Sequence, residues 1–196
     1  MPKPKEKPRC AWPGIDPVML KYHDEEWGTP THDDATHFEY LVLDANQAGL
    51  SWSTILHKRE NFRRALDGFR YKKIALYGAK DVRRLMADAG IIRNRQKINS
   101  AIANAKAFLA VQKEFGSFDA YIWRFVGGKT IGNKPAELSN IASVSKEAEA
   151  MSKDMKKRGF SFCGPTICYA YMQGAGLVDD HLVRCFRKRE LARSRA

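Results

Sequence analysis

The sequence predicts an all-α fold. Three observations carry the prediction. Apolar residues recur at threes and fours through most of the chain, and no run alternates apolar and polar residues long enough to make a sheet strand. Ser, Asp and Gly also stand where helices need caps and stops. The 196 residues fit one domain, or two small lobes around a shared cleft, and a 44% hydrophobic content supplies a core and excludes wholesale disorder.

The elements follow in order. The first nine residues hold three Pro, three Lys, one Arg and one Glu. They cannot bury enough apolar surface to offset their ordering entropy, so a mobile tail is expected. From Asp34, the spacing of Phe38, Leu41, Val42 and Ala45 is amphipathic. Ala48-Gly49-Leu50 breaks it, and Ser51 is placed to cap a second helix carrying Trp52, Ile55, Leu56 and Phe62. Asp81 is expected to cap another, with Val82, Leu85, Met86 and Ala89 inward and Gly90 as its stop. The pattern resumes from Arg93 through Ile98, Ile102, Ala105, Phe108 and Leu109, and Asp119 to Val126 reads as a short aromatic helix. Thr130 to Ile141, with Gly132, Asn133 and Pro135, reads as a loop. Further helices are expected from about Ser145 to Arg158, from Thr166 to Gln173, and from near Asp179 to Arg187. Phe186 to Ala196 reads as a fraying basic tail, leaving residues 10–185 as the folded unit.

Charge narrows the partners. The 34 Lys and Arg outnumber 22 Asp and Glu, a formal +12, which favours a polyanion: nucleic acid first, an anionic membrane surface second. Residues 1–9 carry +3 of it and residues 186–196 carry +4, leaving +5 for the core. Most of the excess therefore predicts non-specific, salt-sensitive attraction rather than recognition. No apolar stretch follows the basic start, and no window approaches the roughly 20 apolar residues of a membrane span, so a cytoplasmic protein is expected. In that reducing setting the four cysteines are expected to be thiols or metal ligands.

Cys10 and His23 lie near the start of the core, and His181 and Cys185 near its end. The i, i+4 spacing of the second pair would put both side chains on one helix face. Two thiolates and two imidazoles suit a closed, structural zinc site with no position left for water. Such a site would tie the N-terminal strap to the last helix. Spacing alone also fits two ordinary helix residues with a stray Cys and His, because the short paired loops of stronger zinc signatures are missing. Cys163 and Cys168, among Phe160, Phe162, Ile167, Tyr169 and Tyr171, read as buried thiols.

Two further features suggest DNA. Phe162-Cys163-Gly164-Pro165-Thr166 joins two helical segments through a tight turn, and a helix N-terminus after such a turn offers backbone N–H groups to a phosphate. Trp12, Tyr22, Trp27 and Trp52 cluster near Asp44 and Gln47 in the first quarter of the core. Each ring alone reads as core. Together with a carboxylate they would form a pocket in which rings stack on a flat cationic base and Asp44 accepts from its polar edge.

These residues resemble a known family. Tyr22-His23-Asp24-Glu25-Glu26-Trp27-Gly28, Gln47-Ala48-Gly49-Leu50-Ser51-Trp52, Lys58-Arg59-Glu60-Asn61, Asp88-Ala89-Gly90-Ile91-Ile92-Arg93, Lys157-Arg158-Gly159-Phe160, Thr166-Ile167-Cys168-Tyr169 and Asp180-His181 are similar to the blocks of the DNA-3-methyladenine glycosylase I family, in order, from about Cys10 to Cys185. That family is a bacterial branch of the helix-hairpin-helix DNA glycosylases. The resemblance implies a two-lobed all-α fold, with Zn2+ on Cys10, His23, His181 and Cys185. It implies base stacking by Tyr22 and Trp52, with Trp12 and Trp27 in the same pocket. Leu50, beside Gly49, would enter the gap left by a flipped nucleotide. Gly164, Pro165 and Thr166 would meet the DNA backbone.

Two positions depart from the family. Its usual base-recognition carboxylate is Glu, whereas this chain has Asp44, one methylene shorter. Asp179 stands where the wider superfamily has a catalytic Asp and better-known members of this family have Asn; a helix N-cap is the other reading of it. Cys168 occupies the position of a Schiff-base Lys in base-excising lyases, so no strand cleavage is expected. The resemblance thus implies a monofunctional enzyme that hydrolyses the N-glycosidic bond of 3-methyladenine in alkylated double-stranded DNA and releases the free base, and the self-sufficient helical core is expected to work as a monomer. Methylation at N3 makes the base a cation that leaves as a neutral molecule. Asp44 would favour that cation, and a carboxylate near the sugar, with Asp179 the candidate, would stabilise developing oxocarbenium charge. A non-enzymatic module binding alkylated DNA and a zinc hydrolase using His23 and His181 at an open site are the alternatives.

Overall fold

A computed structural model describes residues 7–194. Its helices are α1 (Pro17–Glu25), α2 (Asp34–Gln47), α3 (Trp52–His57), α4 (Arg59–Ala65), α5 (Tyr71–Ile74), α6 (Ala79–Ala87), α7 (Arg95–Phe115), α8 (Phe118–Trp123), α9 (Lys146–Lys157), α10 (Pro165–Gly174) and α11 (Phe186–Ser194). Single 3-10 turns lie at Asp67–Phe69, Arg124–Val126 and Leu138–Asn140. The chain is mostly helical, as the periodicity predicts. One short parallel pairing, β1 (Ile131–Gly132) with β2 (Val178–Asp179), is too brief to leave an alternating pattern in the sequence. No helix among the described residues is long and apolar enough to cross a membrane.

The core forms where amphipathic faces meet. The 21-residue α7 buries Ile98, Ala101, Ala105, Phe108 and Val111, and α2 packs against it with Phe38 edge-on to Phe108 at 5.3 Å. Phe118 of α8 stacks on Phe108 at 4.2 Å. Each such ring removed from water contributes roughly 1.5–3 kcal/mol before the entropy of ordering it is subtracted. Asp34, in the first turn of α2, accepts from the backbone N–H groups of Phe118 and Asp119 and so fixes the start of α8. Helix α10 packs on both α2 and α9. At its end Gly176 has φ +72°, and a Cβ there would meet the Thr29–Pro30 backbone at 2.3 Å, so only glycine lets the 28–31 segment lie against it.

Several boundaries differ from the sequence reading, each for a local reason. Ser51 does cap a helix, accepting from Thr54 N–H, but the helix divides at Lys58 into α3 and α4. Helix α6 begins at Ala79, and Asp81 sits in its first turn, accepting from Gly78 N–H rather than standing at the cap. That helix ends at Ala87, before Gly90. Helix α7 starts two residues later than expected because Asn94 Oδ1 accepts from the N–H groups of Gln96 and Lys97. The helix expected from Asp179 to Arg187 is absent. Val178–Asp179 is strand, residues 180–185 form a turn closed by Cys185 N–H donating to Leu182 O, and α11 begins at Phe186. The expected C-terminal tail is therefore helical to Ser194, with Phe186 and Leu191 buried and Phe186 N–H donating to Pro8 O. Opposite it, Arg9 is paired with Asp24 at 2.8 Å. The expectation of mobility for residues 1–6 and 195–196 falls outside the described residues.

Candidate active site

Four segments that are distant in sequence line one cavity of about 370 Å³. Trp12, Tyr22 and Trp27 come from the strap, α1 and the turn after it, Asp44, Gln47 and Trp52 from α2 and α3, Leu138 and Ile141 from the last 3-10 turn and its edge, and Ala170 and Gln173 from α10. All six pocket residues read from the sequence are thus brought together. Trp12 meets Trp27 at 5.1 Å and 71°, and Tyr22 meets Trp52 at 5.2 Å and 57°. These edge-on and tilted contacts hold each ring by its neighbour and give the cavity an aromatic lining suited to a flat ligand.

Asp44 is 4% exposed. Among the described residues, none donates a hydrogen bond to its carboxyl group. Burial pushes its pKa well above the ordinary carboxylate range. A group held this way gains most from a cation or an N–H donor that enters the cavity. Tyr22 is likewise pushed up, first by burial and then by the charges of Tyr40, Asp44 and Glu26, so it stays a neutral phenol.

The wedge candidate follows directly. After α2 the chain turns at Ala48 and Gly49, Leu50 N–H donates to Gln47 O at 2.6 Å, and Leu50 emerges 41% exposed. At the other candidate DNA contact, Gly164 precedes Pro165 at the start of α10, with Thr166 exposed. Cys163 and Cys168 are free and buried, and burial pushes Cys168 up to about 12.

Cys10, His23, His181 and Cys185 converge in the interior, with their ligand atoms all within 4.8 Å of one another. Cys185 Sγ lies 3.5 Å from His23 Nε2 and 3.5 Å from His181 Nδ1, and Cys10 Sγ lies 3.7 Å from His181 Nδ1. Ideal tetrahedral Zn–S and Zn–N bonds give a sulfur–nitrogen edge of about 3.5 Å. The remaining ring nitrogens are also engaged, His23 Nδ1 with Asp24 at 2.8 Å and His181 Nε2 with Trp27 O at 2.9 Å. These contacts orient the two imidazoles as metal ligands require. The adjacent Cys10 thiol, hydrogen-bonded to Cys185, holds the Cys185 thiol below its usual range. The four residues can hold a metal ion. The i, i+4 pair reaches it from a turn, not from a helix face.

Asp179 is buried beside the turn that carries His181. It is 0% exposed, accepts from His181 N–H at 3.1 Å and pairs with Lys188 Nζ at 3.0 Å, and it does not line the cavity. Neither does it cap a helix. Sequence reasoning missed Leu138, Ile141, Ala170 and Gln173. Ala170 and Gln173 share an i, i+3 face of α10 that was visible, whereas nothing local marks the 138–141 segment.

A helical chain with an aromatic cavity, a buried carboxylate inside it and an exposed apolar wedge beside it has the parts of a protein that takes a base out of the DNA stack. The sequence pattern of methyladenine glycosylase matches residues 12–188. The chain is 45% identical to DNA-3-methyladenine glycosylase 1 of Escherichia coli (strain K12) over 177 residues, covering 90% of this chain and 95% of that protein. It is 46% identical to DNA-3-methyladenine glycosylase of Haemophilus influenzae, covering 90% and 96%. Its fold superposes with a TM-score of 0.90 on a variant of 3-methyladenine DNA glycosylase I in complex with 3-methyladenine, 37% identical, with 92% of this chain and 97% of that one covered. The chain belongs to the methyladenine glycosylase family.

Proposed function

We propose that this protein is a DNA repair glycosylase that hydrolyses the N-glycosidic bond of 3-methyladenine in alkylated duplex DNA, without lyase activity. The observation that carries it is the buried Asp44, to which none of the described residues donates a hydrogen bond, inside a cavity lined by aromatic rings. Family membership supports the same reading. In the extruded nucleotide, Tyr22 and Trp52 stack on the base while Trp12 and Trp27 close the pocket around it. Asp44 accepts from the exocyclic amine, and its ionised form is favoured as the cationic base enters. Plain adenine offers no such charge, and an unmethylated base pays the full cost of unstacking. N3 methylation already weakens the bond to deoxyribose, so holding the base suffices and little acid catalysis is needed.

Leu50, carried by the Gly49 turn, fills the vacated stack, and the Gly164-Pro165-Thr166 start of α10 meets a phosphate as the hairpin of a helix-hairpin-helix module formed with α9. Zinc on Cys10, His23, His181 and Cys185 is structural: four protein ligands leave no position for water, which argues against the open-site hydrolase. The buried ion pair of Asp179 supports a role in fixing the metal-bearing turn rather than contact with the sugar. With no amine nucleophile at Cys168, water takes the sugar and the strand stays intact. The enzyme is read as a cytoplasmic monomer. Incubation with methylated duplex DNA tests this directly. Free 3-methyladenine and alkali-labile but uncut strands are expected, and binding without base release would reduce the protein to a recognition module.

A further inference from the structure

Among the described residues, Lys97 is the only lysine or arginine that is buried, at 6% exposure. Its ammonium donates to Asn46 O at 2.8 Å and to Ala48 O at 2.6 Å. These carbonyls lie at the end of α2, where the last helical C=O groups lack intrahelical partners and the helix dipole is negative. The lysine is itself held in the first turn of α7, where its N–H donates to Asn94 Oδ1 at 3.1 Å. Burying an ammonium is costly and lowers its pKa below the ordinary lysine range. A methionine of similar length would fill the same space without that cost, so the two directed hydrogen bonds are what the charge adds.

The turn that Lys97 grips is the one that presents the wedge. Ala48 leads into Gly49 at φ +77°, and Leu50 N–H closes onto Gln47 O. Asp44 and Gln47 occupy the last turn of the same helix and line the cavity. We propose that Lys97 is a positioning residue for base extrusion, clamping the 46–50 turn so that Leu50 meets the duplex as a rigid wedge. This rests on the glycosylase reading above. Its specific content is that Lys97 acts on extrusion through Leu50 and not on the pocket.

The test is a mutant cycle with three substrates. Lys97→Met should lower kcat/KM on duplex DNA containing 3-methyladenine by about tenfold to a hundredfold, the range for losing a charge-assisted hydrogen bond. Affinity for free 3-methyladenine, read by tryptophan fluorescence, should stay within about twofold. In a Leu50→Ala background the same change should have less than about a twofold further effect, because the wedge it positions is gone. A lesion opposite an abasic site, which is easier to extrude, should recover most of the loss. Additive effects of the two substitutions, or a parallel loss of free-base affinity, would overturn the assignment. Lys97→Arg, which keeps the charge, goes through the same cycle if the methionine variant does not fold, with a smaller loss and the same non-additivity expected. If the wild type releases no 3-methyladenine, the glycosylase reading fails first; if it does and the cycle is additive, only Lys97 is misassigned.

Discussion

Replacing Asp44 by Asn should make the protein more stable and less active at the same time. Asp44 is nearly fully buried, lacks a donor among the described residues, and has its pKa raised by burial. A carboxyl whose pKa is higher folded than unfolded binds more protons in the native state, so its contribution to stability is greatest below the unfolded value and falls as pH rises through the folded one. Asn does not titrate. The variant's advantage should therefore be absent near pH 4 and grow toward pH 8. Asn at this site is also an unpartnered buried polar group, so the gain is only the extra cost of burying the charge, on the order of 1–3 kcal/mol. For a chain of this size that corresponds to a rise in Tm of about 2–10 °C at pH 8. Excision should move the other way. Loss of a charge-assisted contact to the base, roughly 1.5–3 kcal/mol, is a fall of about tenfold to a hundredfold in single-turnover rate. The assay pairs thermal melts across pH with single-turnover excision from a lesion-bearing duplex. A pH-independent Tm difference together with wild-type excision would refute the reasoning.

Other outcomes follow from the same geometry. Trp52→Ala should weaken free 3-methyladenine binding by about fivefold to a hundredfold, the value of one base–aromatic stack, as read by calorimetry. The purified protein should contain one zinc per chain, with an X-ray absorption spectrum of two sulfur and two nitrogen ligands and no water; stripping it with a strong chelator should lower Tm markedly. Asp179→Asn should destabilise by about 1–3 kcal/mol, because Lys188 loses its buried partner, with saturating single-turnover rates on folded protein within about threefold of wild type. A far larger rate loss at unchanged Tm would return Asp179 to the chemistry.

What the sequence made legible was what local chemistry and spacing encode. Phe38, Leu41, Val42 and Ala45 recur at helical intervals, so periodicity alone reveals α2. Trp12, Tyr22, Trp27 and Asp44 are residue types whose grouping is rare enough to suggest a pocket, whereas spacing alone leaves Cys10, His23, His181 and Cys185 open between a metal site and ordinary residues. The helix expected over 179–187 is missing because i, i+4 spacing is also satisfied by a compact turn whose side chains converge on one point, as His181 and Cys185 do. Leu138 and Ile141 were invisible because only tertiary folding brings them to the cavity. Lys97 was hidden for the opposite reason: in a chain rich in exposed lysine, one buried ammonium looks like the rest. The basic C-terminal stretch hid a helix because its two buried residues, Phe186 and Leu191, are outnumbered by charge.

The central claim concerns chemistry, and product analysis reaches it most directly. Methylated duplex DNA is incubated with the purified protein, and the supernatant and strands are examined separately. The account predicts free 3-methyladenine in the supernatant and strands that break only after alkali. Unchanged DNA with the protein bound, or strands cut without base release, would contradict it.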